Sequence, residues 1–231
     1  MIADKLAQVH SRIASACAAA RRPVQSVTLL AVSKTFDIDR VAEAHAAGQH
    51  RFGENYVQEA IEKVAALEAL VPRPEWHLIG PVQSNKTRVV AATFDWVHSI
   101  DRLKIAERLS AQRPADIAPL SVCLQVNVSG EASKSGLAPA DVAAVAHAVA
   151  ALPRLRLRGL MAIPEPVAGG DVSAQRRPFR GLRSLFDQLC DEGLALDTLS
   201  AGMSDDLEAA ILEGATMVRV GSAIFGHRSA A

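Results

Sequence analysis

One lysine in this sequence stands directly behind a buried run. Val27 to Ser33 (VTLLAVS) is apolar and partly β-branched, and short enough for a buried strand; Lys34 comes next. An amine at that place either snorkels to solvent or points into the mouth of a barrel. In the mouth it can form a Schiff base with an aldehyde or ketone, provided its surroundings lower its pKa. A second group of residues lies near the end of the chain. Ser200, Gly202 and Ser204 follow one short apolar strand, with Asp205 and Asp206 after them; Gly221 and Ser222 follow the next strand. Glycines at 202 and 221 let backbone N–H groups approach an anion closely, and serine hydroxyls add donors. Ordinary caps and turns use the same residue types. The phosphate reading therefore rests on where the two loops fall. Arg219 lies inside the last strand, facing opposite to Val218 and Val220. It reads equally as an arginine aimed at an anion in a barrel and as a structural, ion-paired one.

These residues need a scaffold, and strand-like and helix-like segments alternate along the whole chain. An opening helix carries Ile2, Leu6, Val9, Ile13, Cys17 and Ala20 on one face. Strands are expected at 27–33, 51–53, 76–79, 96–100, 120–127, 157–163, 198–200 and 217–220. Helices are expected at 37–47, 54–70, 82–92, 102–112, from about 139, at 179–190 and at 204–213. Eight strand–helix units in 231 residues imply one domain, 1–231, folded as an α/β (β/α)₈ TIM barrel with an extra N-terminal helix and no additional β-domain. A doubly wound open sheet would carry a Gly-rich first turn, and neither G-x-G-x-x-G nor a P-loop is present. In such a barrel, chemistry sits behind the strands, and the loops after strands seven and eight form the usual phosphate site. The longest expected loop is Pro164 to Pro178, on that same face.

Composition closes other routes. Lys plus Arg number 25 and Asp plus Glu 25, so the formal charge is zero and no basic face for nucleic acid is indicated. No apolar run of about 18 residues exists to span a membrane, and the charged N-terminus does not read as a signal peptide. Cys17, Cys123 and Cys190 are far apart, which fits packing in a reducing cytoplasm. The histidines are not at metal-ligand spacing, so no metal site is expected.

Beyond these readings, the chain resembles the PLP-binding homeostasis proteins, the YggS/PROSC family of fold-type III pyridoxal 5′-phosphate (PLP) proteins. The resemblance rests on AVSKTF (31–36), RFGENYVQE (51–59), WHLIGPVQSNK (76–86), VHSID (97–101), LQVNVSGEASKSG (124–136), GLMAIP (159–164), LSAGMSDDLEAAI (199–211) and VRVGSAIFG (218–226), in that order. It implies that Lys34 holds PLP as an internal aldimine. It implies that Ser200, Gly202, Gly221 and Ser222 bind the phosphate, that Arg219 faces the pyridine nitrogen, and that Asn55 lies beside the cofactor. It also places Glu131 to Lys134 near the barrel mouth.

Three functions are then open. One is a cytoplasmic, monomeric PLP carrier without turnover or catalytic residues, which supplies PLP-dependent apoenzymes. The second is a fold-type III enzyme such as an amino-acid racemase or decarboxylase. Racemisation needs acid–base groups on both faces of the cofactor. The family's enzymes take one from a partner's tyrosine, whereas the sole tyrosine here is Tyr56 of the G-E-N-Y motif. His77 and His98 are the substitutes to consider, beside their reading as core or surface residues. The third is a barrel aldolase or isomerase in which Lys34 attacks a phosphorylated sugar.

Overall fold

The structure, a computed structural model, describes residues 1–130, 135–165 and 172–226. Eight parallel strands close into a barrel: β1 (Thr28–Val32), β2 (Arg51–Glu54), β3 (Glu75–Leu78), β4 (Trp96–Ile100), β5 (Leu120–Gln125), β6 (Leu155–Met161), β7 (Thr198–Ser200) and β8 (Met217–Val220). Each pairs with the next in sequence, and β8 returns to β1 with Leu30 opposite Arg219. The helices are α1 (Ile2–Ala19), α2 (Ile38–Ala46), α3 (Val57–Ala66), α4 (Thr87–Thr93), α5 (Leu103–Gln112), α6 (Val142–Ala150), α7 (Val172–Asp191), α8 (Leu207–Leu212) and α9 (Ser222–Phe225).

The main apolar core lies between strands and helices. Phe52, Trp76, Leu78, Val97, Val122, Leu124, Leu160, Val218 and Val220 are buried there. The extra helix α1 joins it through Ile2, Leu6, Val9, Ile13 and Cys17, and packs on α8, α9 and α2. Arg12 of α1 clamps Glu208 of α8 with bonds of 2.7 and 2.9 Å. Inside the barrel the filling differs. Trp96, Cys123 and Met161 form a small separate cluster, and most of the remaining interior is polar.

Several expected boundaries move: α4 begins at Thr87 rather than 82, after a 3₁₀ turn at Ser84–Lys86, β6 is Leu155–Met161 rather than 157–163, β5 ends at Gln125, and three further helix starts differ. The helix expected from residue 54 begins at Val57, because Glu54 completes β2 and is buried. The helix expected from Ser204 begins at Leu207; residues 204–206 form a turn, and the Asp206 carboxylate accepts from the Met203 N–H. The helix expected from Phe179 already starts at Val172 and carries Pro178 inside it. Proline normally marks a helix boundary, so it placed the start too late. The expected 164–178 loop is correspondingly shorter. Of that loop, 166–171 lie outside the described residues, as do 131–134.

Candidate active site: the mouth of the barrel

A cavity of about 520 Å³ opens at the C-terminal ends of the strands. Lys34 follows β1, Asn55 follows β2, Arg219 rises from β8, and Gly221 and Ser222 lead into α9; all five line this one cavity. Val32, Phe36, Ile79, Ile163 and Met203 give it apolar walls. Ser204 and Ser222 stand on one side with their hydroxyl oxygens 3.0 Å apart. Gly221 keeps this wall closely packed: a Cβ would sit 3.1 Å from the Val32 carbonyl oxygen, tighter than an ordinary contact. Helix geometry leaves the first N–H groups of α9 without partners inside the helix.

Two of the expected phosphate residues stand elsewhere. The Ser200 hydroxyl is buried beneath Arg219, outside the cavity lining. Period-two alternation places it on the inner face of β7 rather than in the following loop. Gly202 has φ 93° and packs under α8, where a Cβ would meet the Ala210 Cβ at 2.7 Å. Its Cα supports the loop from below, and Met203 and Ser204 present the wall of the cavity.

Arg219 is buried and held by neutral groups. One guanidinium nitrogen donates to the Ser200 carbonyl (2.6 Å) and hydroxyl (2.8 Å), and another donates to the Ala162 carbonyl (2.9 Å). Burial pulls its pKa down to about 10, only partly offset by Asp206 and Cys123. It is therefore still cationic at neutral pH. The same burial, inside the barrel, pushes the Cys123 thiol up to about 12.

Below Arg219 a chain of hydrogen bonds runs down the barrel axis, a feature absent from the sequence reading. Ser200 Oγ meets His98 Nδ1 at 2.8 Å, His98 Nε2 meets His77 Nδ1 at 2.9 Å, and His77 Nε2 meets Glu75 Oε1 at 2.8 Å. Arginine can only donate and an ionised carboxylate can only accept. The carboxylate end fixes the direction once both imidazoles are neutral: His77 donates to Glu75, so its Nδ1 accepts from His98, and the His98 Nδ1 accepts from the Ser200 hydroxyl. Each imidazole is neutral with one proton. Burial lowers the pKa of both histidines, and for His98 the neighbouring His77 and Arg219 lower it further. The hydrogen bond from His77 holds the Glu75 carboxyl below its ordinary value. The signal was present in the alternation of Glu75 with His77 and of Trp96 with His98, which turns all four inward.

These buried histidines make stability depend on pH. Both have folded-state pKa values below the ordinary 6.5, so the unfolded chain takes up the protons first. Stability is thus lost as pH falls from 6.5 toward the folded values, by about 1.4 kcal/mol per pH unit for each histidine. Glu54, whose carboxyl is raised by burial, works in the opposite sense. The test is therefore the difference between wild type and His98→Gln in urea unfolding between pH 5 and 7. The variant is expected to show a shallower loss on acidification, and parallel curves would contradict a buried neutral His98.

A second cavity, of about 540 Å³, lies at the other end of the barrel and is lined by Arg51, Glu75, Asp95, Arg113, Arg158 and Asp197 among others. Its arginines are committed: Arg51 to Glu75, Arg158 to Asp197, and Arg113 to the carbonyls of Ala91, Phe94 and Ala118. Among the described residues no lysine lines it, and the N-terminal ends of barrel strands are the face that serves stability. The mouth that holds Lys34 is the candidate site.

Known proteins agree with this placement of the fold. Residues 6–229 match the family "Alanine racemase, N-terminal domain". A protein of Pseudomonas aeruginosa named pyridoxal phosphate homeostasis protein is 62% identical over 227 residues, covering 98% of this chain and 96% of its own. PipY of Synechococcus elongatus, solved with PLP bound, superposes with a TM-score of 0.84 at 38% identity, over 98% of this chain and 100% of that one. Alanine racemase of Corynebacterium glutamicum shares the barrel (TM-score 0.72) at 17% identity; 98% of this chain corresponds to 62% of that one, so that likeness speaks to fold alone. On sequence similarity over nearly its whole length, the chain belongs to the pyridoxal phosphate homeostasis proteins, the YggS/PROSC family, within the alanine racemase N-terminal domain family.

Proposed function

We propose that this protein binds PLP at the barrel mouth, attaches it to Lys34 and acts in PLP homeostasis as a carrier or buffer without turnover. The observation that carries this reading is that an amine, an arginine and a Gly–Ser turn line one cavity. Those residues fit the cofactor. Ser204, Ser222, the close-packed Gly221 and the first N–H groups of α9 suit a phosphate dianion. Val32, Ile79, Ile163 and Met203 suit the faces of an aromatic ring, with Asn55 as a polar neighbour. PLP supplies an aldehyde for amines and a ring that withdraws electrons when its nitrogen is protonated. Arg219, always a donor here, offers the ring nitrogen a hydrogen bond and disfavours a proton on it. That arrangement supports holding the cofactor and weakens carbanion chemistry.

The acid–base groups of the cavity also favour a carrier. Among the described residues, its ionisable lining is Lys34, Asp205 and Arg219. Tyr56 is 54% exposed and outside that lining, and His77 and His98 are buried in the axial chain. Asp205, next to Ser204 of the phosphate wall, is the carboxylate of that lining, and the tyrosine or histidine that would serve the second face in racemisation is not among the described lining residues. In this reading the protein is a cytoplasmic monomer whose cargo passes to PLP-dependent apoenzymes. None of the described helices is long and apolar enough to cross a membrane.

The test is the near-visible spectrum with PLP, followed by borohydride reduction and mass mapping. A band that reduction fixes onto the Lys34 peptide is expected, with no racemisation or decarboxylation of amino acids. Lys34→Ala should lose the band entirely yet unfold within about 0.5 kcal/mol of wild type, because Lys34 stands at the mouth rather than in the core. A wild type that forms no such band would overturn the reading.

A further inference from the structure

The residue after Lys34 is in an unusual conformation. Thr35 has φ 66°, in the left-handed region that β-branched residues avoid. Such a conformation persists only when its surroundings impose it. Here the surroundings are a charged cluster reaching across from β2 and α3. The Thr35 N–H donates to Glu59 Oε1 at 2.5 Å. Glu59 Oε1 is in turn held by Lys63 Nζ at 2.6 Å. Lys63 is buried and uses its other two protons on the Ser33 carbonyl (2.7 Å) and on Glu54 Oε1 (2.8 Å). Glu54 Oε1 also accepts from the Ser33 hydroxyl at 2.6 Å. Both peptides that flank Lys34 are thus tied to one ammonium and two carboxylates. On the far side, Phe36 stacks on Phe225 of α9 with ring centroids 5.0 Å apart, so the same turn is joined to the Gly221–Ser222 wall.

We infer that Glu59, anchored by Lys63, is a positioning residue: it holds the Lys34–Thr35 turn in its strained form and so aims the Lys34 amine into the cavity. This inference rests on the reading of Lys34 as the anchor for PLP. Attachment joins Nζ to the aldehyde carbon and releases one water, after the ammonium has given a proton to solvent; detachment takes the water back. A turn that relaxes would swing Nζ away and shift this balance toward detachment, while leaving the phosphate wall in place. Glu59 is not among the residues that line the cavity; its bond reaches the Lys34–Thr35 turn through the Thr35 N–H.

The experiment separates covalent attachment from simple binding in the full-length protein. Attachment is read from the imine band as PLP is titrated. Binding is read by calorimetry with pyridoxine 5′-phosphate, which has an alcohol in place of the aldehyde. Glu59→Ala is expected to lower the attachment constant about tenfold, as for loss of a charge-assisted hydrogen bond, with pyridoxine 5′-phosphate affinity unchanged. Glu59→Gln keeps an acceptor for the Thr35 N–H and should stay near wild type. Adding Thr35→Gly to Glu59→Ala should restore attachment to within about threefold, since glycine adopts this conformation without penalty. Unchanged attachment in Glu59→Ala would overturn the inference. So would an equal loss of pyridoxine 5′-phosphate binding, or a double variant no better than the single one. A wild type without an imine band would instead overturn the reading beneath it.

Discussion

Gly159→Ala is expected to cost more than about 4 kcal/mol and to leave little folded protein, since whole domains are stable by only about 5–15 kcal/mol. Gly159 lies in β6 directly opposite Thr198 of β7. A Cβ there would fall 1.7 Å from the Thr198 carbonyl oxygen and 2.7 Å from its carbon. Both are backbone atoms in a closed barrel, so no rotamer change can move them aside. The strands would have to part, and the parting would reach β7, which supplies the floor under Arg219. Soluble yield and urea unfolding check this. Gly181→Ala is the control: position 181 is inside α7 with nothing within 4 Å of an added Cβ, so alanine should stabilise by about 0.5–1 kcal/mol. A Gly159→Ala protein that unfolds with the wild type would mean that β6 and β7 are not paired in this register.

Arg219→Met should instead spare the fold and damage binding. Two effects on stability oppose each other. The substitution leaves the acceptors of Ser200 and Ala162 without their donor, which destabilises. It also removes a buried cation that no carboxylate bonds directly, and whose burial lowers its pKa to about 10, which stabilises. Within the reading of Arg219 as the partner of the ring nitrogen, losing one hydrogen bond from a charged donor weakens PLP about tenfold to a hundredfold. Titration with PLP, beside thermal unfolding of the apoprotein, checks both parts. Unchanged affinity would make Arg219 a structural residue of the barrel interior.

The sequence and the structure contributed different things. Alternation in short apolar runs located β4, β7 and β8 to the residue and set Arg219 opposite to Val218 and Val220; that it faces the barrel interior came from the structure. Lys34 was legible because it follows a buried run directly, and Gly221 and Ser222 because they follow another. Local rules failed where a distant contact outweighed them. Pro178 did not start a helix but lies within α7. Ser200 looked like a loop donor and became a buried link between His98 and Arg219.

By itself, then, the sequence determined the barrel, the mouth that carries the amine and the family to which the chain is similar. These follow from the period of hydrophobicity and from motifs whose residues are neighbours in the chain. Only the tertiary structure decided what those residues touch. His98 meets Ser200 across 102 positions, and Thr35 meets Glu59 across 24. Such pairs depend on strand register and on the closure of β8 onto β1, which bring together side chains with no local pattern in common. A hydrogen bond acts over about 3 Å, whatever the separation along the chain.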